Sequence, residues 1–369
     1  MENRFVTIAT LKKTDADLLK KQFEEEQIDC ELSLAKAVKA NELNGYRVKV
    51  RMKERKKAIK ILDTFVELYG IETIEGDTFS KEIERILVPV DFSENSLRAC
   101  DYALGIAEKL HSEIMLMHSY FFPVINSIDY GDGLSYVVNL NDTITEIANK
   151  AQEKLLNLYN ELKTRIEKNN YKHVKINFTL TNGNPANEII NVYKKYMPDL
   201  IVMGARGLSP EEKEYFGSIT ASTIEDTNVP VLAIPETANY KFSGKINILY
   251  ATNFDESDYK ALKKLMTLIY LFDVKIHLVH IGVQENEKLE KIEQIKTIFS
   301  NLYPGYEFNC HIIESHDVIK PLAEFIEQNS IDIIALTTHK RNFITRFFRP
   351  SMAKKMLFQI NAPLLVFHA

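Results

Sequence analysis

Three glycines within fourteen positions, Gly204, Gly207 and Gly217, are the residues of this sequence best placed to do chemistry. They read Gly204-Ala-Arg-Gly207, nine residues, then Gly217-Ser218, with an apolar run ahead of them and a helical pattern behind. Glycines at the carboxyl end of a strand let backbone N–H groups approach a phosphate, because no Cβ stands in the way. A helix opening at Ser218 adds a hydroxyl and the positive end of its dipole. The bland alternative is that these glycines only make turns. Composition argues against it: the chain has 13 glycines and 11 prolines in 369 residues, where average usage gives about 44 of the two together. No glycine follows Gly305. Where glycine is scarce, a cluster has a reason.

Two further positions point at the same place. Asp91 ends the first apolar strand after residue 83, and Ser119 lies just beyond the second. Ligands of open α/β sheets bind at the carboxyl ends of the strands, so these residues and the glycine motif converge on one crevice. Asp91 is placed there to accept from a base or a ribose hydroxyl. His118 and His280 hold equivalent strand ends and read as structural hydrogen-bonding residues. Glu211 and Glu212, between the glycines, could join a divalent metal such as magnesium to phosphates, although solvated loop charge is the preferred reading. No Ser/His/Asp or Cys/His arrangement follows from spacing, so no catalytic residue is assigned. Neither a Walker loop nor G-x-G-x-x-G is present, which excludes a P-loop NTPase or a standard dinucleotide site.

The elements that must carry these residues fall into three parts. Residues 1–75 read as strand 5–11, helix 15–26, strand 30–34, strand 46–52 and helix 55–68, a βαββα unit suggesting a small ferredoxin-like module. A linker is expected over 70–81. From residue 83, near-continuous apolar strands (85–90, 113–118, 174–180, 200–203, 231–234) alternate with amphipathic helices (96–110, 142–168, 186–196, 218–227). Such strands belong to a parallel sheet covered on both faces and joined by right-handed crossovers. Residues 119–141 read as a long lid or interaction loop.

The unit then repeats. Arg85-Ile-Leu-Val-Pro-Val-Asp-Phe-Ser-Glu aligns with Asn247-Ile-Leu-Tyr-Ala-Thr-Asn-Phe-Asp-Glu at an offset of 162, and Asp199-Leu-Ile-Val-Met with Asp332-Ile-Ile-Ala-Leu at an offset of 133. The second copy has lost most of the middle loop. It also loses the motif: Asp91 becomes Asn253, Gly204 becomes Thr337, Gly207 becomes Lys340 and Gly217-Ser218 becomes Pro350-Ser351. Side chains at former glycines, and a proline without N–H, remove the close backbone approach. The second copy is therefore expected not to bind a ligand in the same manner. Its segment 339–355 carries six basic residues and no acid; a solvated face is the preferred reading, an anion or partner surface the other.

Formal net charge is −5, which leaves no global electrostatic footprint for nucleic acid. No apolar run approaches 18 residues, and the N-terminus lacks a signal-peptide core. Three scattered cysteines without a C-x-x-C pair point to buried thiols in a reducing compartment, with no metal ligation. A cytoplasmic location is expected.

Val88-Pro-Val-Asp-Phe-Ser93, Leu116-Met-His118, Gly183-Asn-Pro185 and the full glycine motif resemble the universal stress protein family. Both copies, 83–236 and 245–369, fall within the resemblance, and residues 1–75 resemble small signal-transducing modules of bacteria. The resemblance implies two tandem Rossmann-like α/β domains of the adenine nucleotide hydrolase-like group, with parallel five-stranded sheets, behind a small α+β ferredoxin-like domain. It implies binding of ATP, AMP or ADP in the first copy. Pro89, Val90 and Asp91 would contact the adenosine and the Ser119 backbone would border the adenine. Met203, Gly204, Arg206, Gly207, Gly217, Ser218, Ile219 and Thr220 would hold ribose and phosphates, Arg206 standing where the family often has histidine. The family usually dimerises through its last strand, so 229–235 and 362–368 are expected to pair within one chain as a pseudo-dimer, with a homodimer and an unknown protein partner left open. A nucleotide-binding stress regulator is the leading reading. A hydrolase or transferase of the same fold group, with slow ATP hydrolysis as its mildest form, and a nucleotide-independent scaffold are the alternatives.

Overall fold

The computed structural model of the chain describes residues 5–35, 45–69, 83–121, 133–206, 217–238, 244–252, 256–282, 286–303, 306–315, 319–338 and 362–368. The expected linker 70–81, Gly207 with Glu211 and Glu212, Asn253, and the basic segment with Lys340, Pro350 and Ser351 lie outside those residues. The chain divides into two compact units: Met1–Lys81 with Thr297–Gly305, and Glu82–Lys296 with Tyr306–Ala369.

In the first unit, β1 (Phe5–Leu11), α1 (Lys13–Glu25), β2 (Cys30–Ala35), β3 (Gly45–Arg51) and α2 (Arg55–Tyr69) follow the expected βαββα order. The strands form an antiparallel sheet in the order β1-β3-β2. Apolar side chains recur at helical spacing in α1, where Ala16, Leu19 and Phe23 are buried, and they join Ile8, Leu11, Val48 and Val50 of the sheet in one core.

The second unit begins with β4 (Arg85–Pro89), α3 (Glu94–Leu110), β5 (Glu113–Tyr120), α4 (Gly133–Lys168), β6 (Lys175–Asn182), α5 (Pro185–Tyr196), β7 (Leu200–Gly204), α6 (Ser218–Asp226) and β8 (Val231–Ile234). It continues with β9 (Ile246–Ala251), α7 (Glu256–Ile269), β10 (Val274–Gly282), α8 (Asn286–Leu302, of which residues 297–302 count with the first unit), β11 (Glu307–Glu314), α9 (Ile319–Gln328), β12 (Ile333–Thr338) and β13 (Leu364–His368). One ten-stranded sheet results, in the order β11-β10-β9-β12-β13-β8-β7-β4-β5-β6. Each half has the same internal order, first strand central and third strand outermost. Registers match at the sequence offsets: Ile201 faces Leu87 as Ile334 faces Leu249, and Leu116 faces Val88 as Leu278 faces Tyr250.

Within each half the ladders are parallel; the halves join where β13 runs antiparallel to β8, Leu364 facing Ala233 and Val366 facing Val231. This is the pairing expected between 229–235 and 362–368. Both strands are wholly buried, so the junction lies inside one apolar core running from Ile201 and Met203 to Leu249 and Ile334.

One boundary needs correction. The loop expected over 119–141 is shorter, because Ser119 and Tyr120 complete β5 and α4 already starts at Gly133. The aromatic and polar composition of this stretch hid the helical spacing of Leu134, Val137 and Val138. Farther along, Ala151, Leu155, Leu158, Leu162 and Ile166 form the buried stripe that docks α4.

A histidine pair makes the second half acid-sensitive. His277 Nδ1 and His311 Nε2 lie 3.2 Å apart, with the Phe325 ring against both. Burial, then His311 and Lys275, push His277 down to about 4 from an ordinary value of 6.5, and burial lowers His311 as well. The unfolded chain therefore binds more protons between about pH 6.5 and pH 4, and stability must fall as pH drops through that window. Urea midpoints are expected to decline from pH 7 to pH 5, and to decline less in a His277→Gln protein; an unaltered slope in that variant contradicts the assignment.

Candidate functional site

The carboxyl ends of β4, β5 and β7 open onto a cleft of about 300 Å³. Each edge is shaped by what ends its strand. At β4, the Val90 N–H donates to the Met117 carbonyl at 2.7 Å, and the chain then turns through Phe92 at a left-handed φ of 65°. That turn brings Ser93 back: its N–H and hydroxyl both donate to Asp91 Oδ1, at 3.0 and 2.6 Å. The Ser93 oxygen in turn accepts from the Ser96 N–H at 3.3 Å and caps α3. At β5, the Ser119 hydroxyl donates to the Gly183 carbonyl at 2.8 Å, tying the strand to the turn before α5. There the Asn184 side chain accepts from the N–H groups of Ala186 and Asn187 and caps α5.

The third edge is different. Gly217 is the N-cap of α6 and has no side chain to cap with. Its own N–H donates to the Ala205 carbonyl at 2.8 Å, and the Thr220 hydroxyl donates to the Gly204 carbonyl at 2.9 Å, which pins the helix start to the end of β7. The first-turn amides of a helix have no partner within it. Of the three described helices that start at this cleft, α3 and α5 have a serine and an asparagine N-cap whose side chains bond first-turn amides, while the N-cap of α6 is a glycine that makes no such bond. Its positive dipole end is thus the one suited to an anion.

All of the candidates that the structure describes line this one cleft: Pro89, Val90, Asp91, Ser119, Met203, Gly204, Arg206, Gly217, Ser218, Ile219 and Thr220. The lining pairs one carboxylate, Asp91, with one guanidinium, Arg206. Five residues of the wall were not anticipated: Ser96, Met117, His118, Pro185 and Ile189. Met117 and Ile189, with Met203, give the cleft an apolar side fit for a planar ring. Pro185 follows directly on the Gly183-Asn184 turn, which was the available signal. His118 behaves as expected of a structural residue. Its Nδ1 lies 2.7 Å from the Val90 carbonyl and must donate to it, and burial holds the ring below the usual imidazole range, hence neutral at pH 7. His280 repeats the bond to Thr252 at 2.9 Å.

Gly204 also has a packing role. A Cβ there would stand 2.8 Å from Asn95 Cβ and 3.0 Å from the Ser96 N–H, so glycine is needed for the close crossing of β7 and α3.

In the second half the corresponding ground is filled. Thr337, in place of Gly204, shares a 2.6 Å hydrogen bond with the Tyr250 hydroxyl. Tyr250 also donates to Asp258 Oδ1 at 3.0 Å, and Thr252 donates to Oδ2 at 2.7 Å. Tyr250, Thr252 and Asp258 are all at most 4% exposed; at the same offset the first half has Val88, Val90 and Ser96. Among the described residues no group of three or more His, Cys, Asp or Glu side chains could hold a metal ion.

Comparison with known proteins finds likenesses over the same stretch. The model of the universal stress protein family matches residues 82–235. Universal stress protein YxiE of Bacillus subtilis is 30% identical over 150 residues, 41% of this chain and 97% of the relative. Universal stress protein MJ0577 of Methanocaldococcus jannaschii is 28% identical over 155 residues, 41% of this chain and 94% of the relative. The crystal structure of a universal stress protein from Archaeoglobus fulgidus aligns with a TM-score of 0.58 at 20% identity, over 78% of this chain and 99% of that one. That last likeness is one of fold.

Proposed function

Because the chain belongs to the universal stress protein family, we propose that its first half binds one adenine nucleotide and acts as a stress regulator rather than as an enzyme. The observation that carries this reading is the glycine N-cap of α6 in the cleft, beside two helices whose N-caps are a serine and an asparagine that bond their own first-turn amides. A phosphate set against Ser218, Ile219 and Thr220 completes that helix end, and Arg206 adds a cation beside it. The apolar wall of Met117, Ile189 and Met203 takes the base, and Asp91 accepts from a base or ribose donor.

The second half serves as the partner of an intramolecular pseudo-dimer; its Tyr250–Asp258–Thr337 network supports a count of one nucleotide per chain. The first unit transmits or localises the signal. The three thiols, held above their usual range by burial, suit a cytoplasmic setting.

The test is to identify any nucleotide retained by the purified full chain and follow its fate with Mg²⁺. Retention of ATP, ADP or AMP without turnover is the expected result. Multiple turnovers would make the protein a hydrolase of the same fold group. An empty protein without nucleotide affinity would contradict the reading and leave a scaffold.

A further inference from the structure

Six described non-glycine residues have a left-handed backbone: Gln27, Phe92, His111, Asn170, Met197 and Ser330. Gln27, His111, Asn170, Met197 and Ser330 each fall within two residues of a helix C-terminus, where that conformation is the common way to stop. Phe92 is the exception. It sits between a strand end and a helix start, and an aromatic side chain at positive φ is a true outlier that persists only where its surroundings impose it.

Those surroundings can be named. The Phe92 ring packs on His118 with centroids 4.5 Å apart and a 51° tilt. Lys154 of α4 places Nζ 5.8 Å from the ring centroid, a cation over an aromatic face. His118 is in turn fixed by its bond to the Val90 carbonyl. The ring is therefore held from β5 and from α4 at once. Its backbone conformation is what returns Ser93 to Asp91, and the two Ser93 donors on Oδ1 fix the carboxylate at the cleft wall.

We propose that Phe92 is a positioning residue: held by its contacts with His118 and Lys154, it keeps the left-handed turn that aims the Asp91 carboxylate into the cleft. The clamp itself touches no ligand. It spends local strain to remove freedom from the one acidic group among the described residues of the cleft, so that binding need not order it. Because α4 supplies Lys154, the clamp also ties the middle of that helix to the cleft wall. The proposal rests on the nucleotide reading above.

A double-mutant cycle on the full chain, read by calorimetric titration with AMP, tests it. Phe92→Ala is expected to weaken AMP binding about tenfold in the wild-type background but less than about twofold when Asp91 is already asparagine, since the two act as one unit. Phe92→Tyr, which keeps the ring, is expected to restore wild-type affinity, and thermal melting of each variant separates loss of fold from loss of aim. Equal weakening in both backgrounds would overturn the proposal, because a merely structural ring would cost the same with or without Asp91. Wild-type affinity in Phe92→Ala would overturn it as well. A wild-type protein that fails to bind AMP, ADP or ATP would instead overturn the nucleotide reading.

Discussion

A Gly217→Asp protein is expected to melt no lower than the wild type and to lose at least about 100-fold in nucleotide affinity. The two effects have one cause. Gly217 has φ −66° and ψ 157°, an ordinary extended conformation that any residue adopts, so the substitution brings no backbone strain. Aspartate is among the best N-cap residues and puts its charge at the favourable end of the dipole. Its carboxylate would take the first-turn amides that the account reserves for a phosphate, and would repel that phosphate. Losing charge-assisted hydrogen bonds worth about 1.5–3 kcal/mol each is enough for the stated factor, since every 1.4 kcal/mol is tenfold. Gly217→Val is expected to abolish binding too, by bulk alone, with a small loss of helix stability for want of a cap. Titration and thermal melting of both variants check this; unchanged affinity in either contradicts the site.

Gly204→Val should behave in the opposite manner, destabilising the second unit by about 2–3 kcal/mol through overpacking. The added side chain meets Asn95 and the backbone of Ser96, the first turn of α3, and neither is the free end of a flexible chain. Binding falls as well, because the displaced turn carries Ser96 and lies beside Asp91. A lowered urea midpoint checks it, and wild-type stability would show that β7 and α3 can separate at no cost. The second half has a threonine at the matching position, where its hydroxyl meets Tyr250; there the crossing is built around a side chain from the start.

These two glycines show what was legible in the residues. Apolar runs and helical spacing gave the strand and helix positions of the first two parts to within a few residues, the start of α4 excepted, because the strands carry an unbroken apolar signal. The shared strand order of the two halves was legible in the aligned segments, whose offsets the ladder registers follow. Clustering of Gly204 and Gly217 located the cleft, yet their separate reasons were hidden. Gly204 answers to a helix distant in sequence, and Gly217 to the absence of a cap that neighbouring helices possess. Only the assembled sheet reveals either. Phe92 gave no signal at all, since an aromatic residue does not advertise a left-handed turn as glycine or asparagine does. The start of α4 was missed because aromatic and polar residues diluted its apolar period.

How many nucleotides one chain holds, and where, decides whether only the first half binds. Calorimetric titration of the nucleotide-free full chain with ATP or AMP is predicted to give one site per chain, absent from the Gly217→Asp protein. Two equivalent sites per chain, or one site that survives Gly217→Asp unchanged, would contradict it.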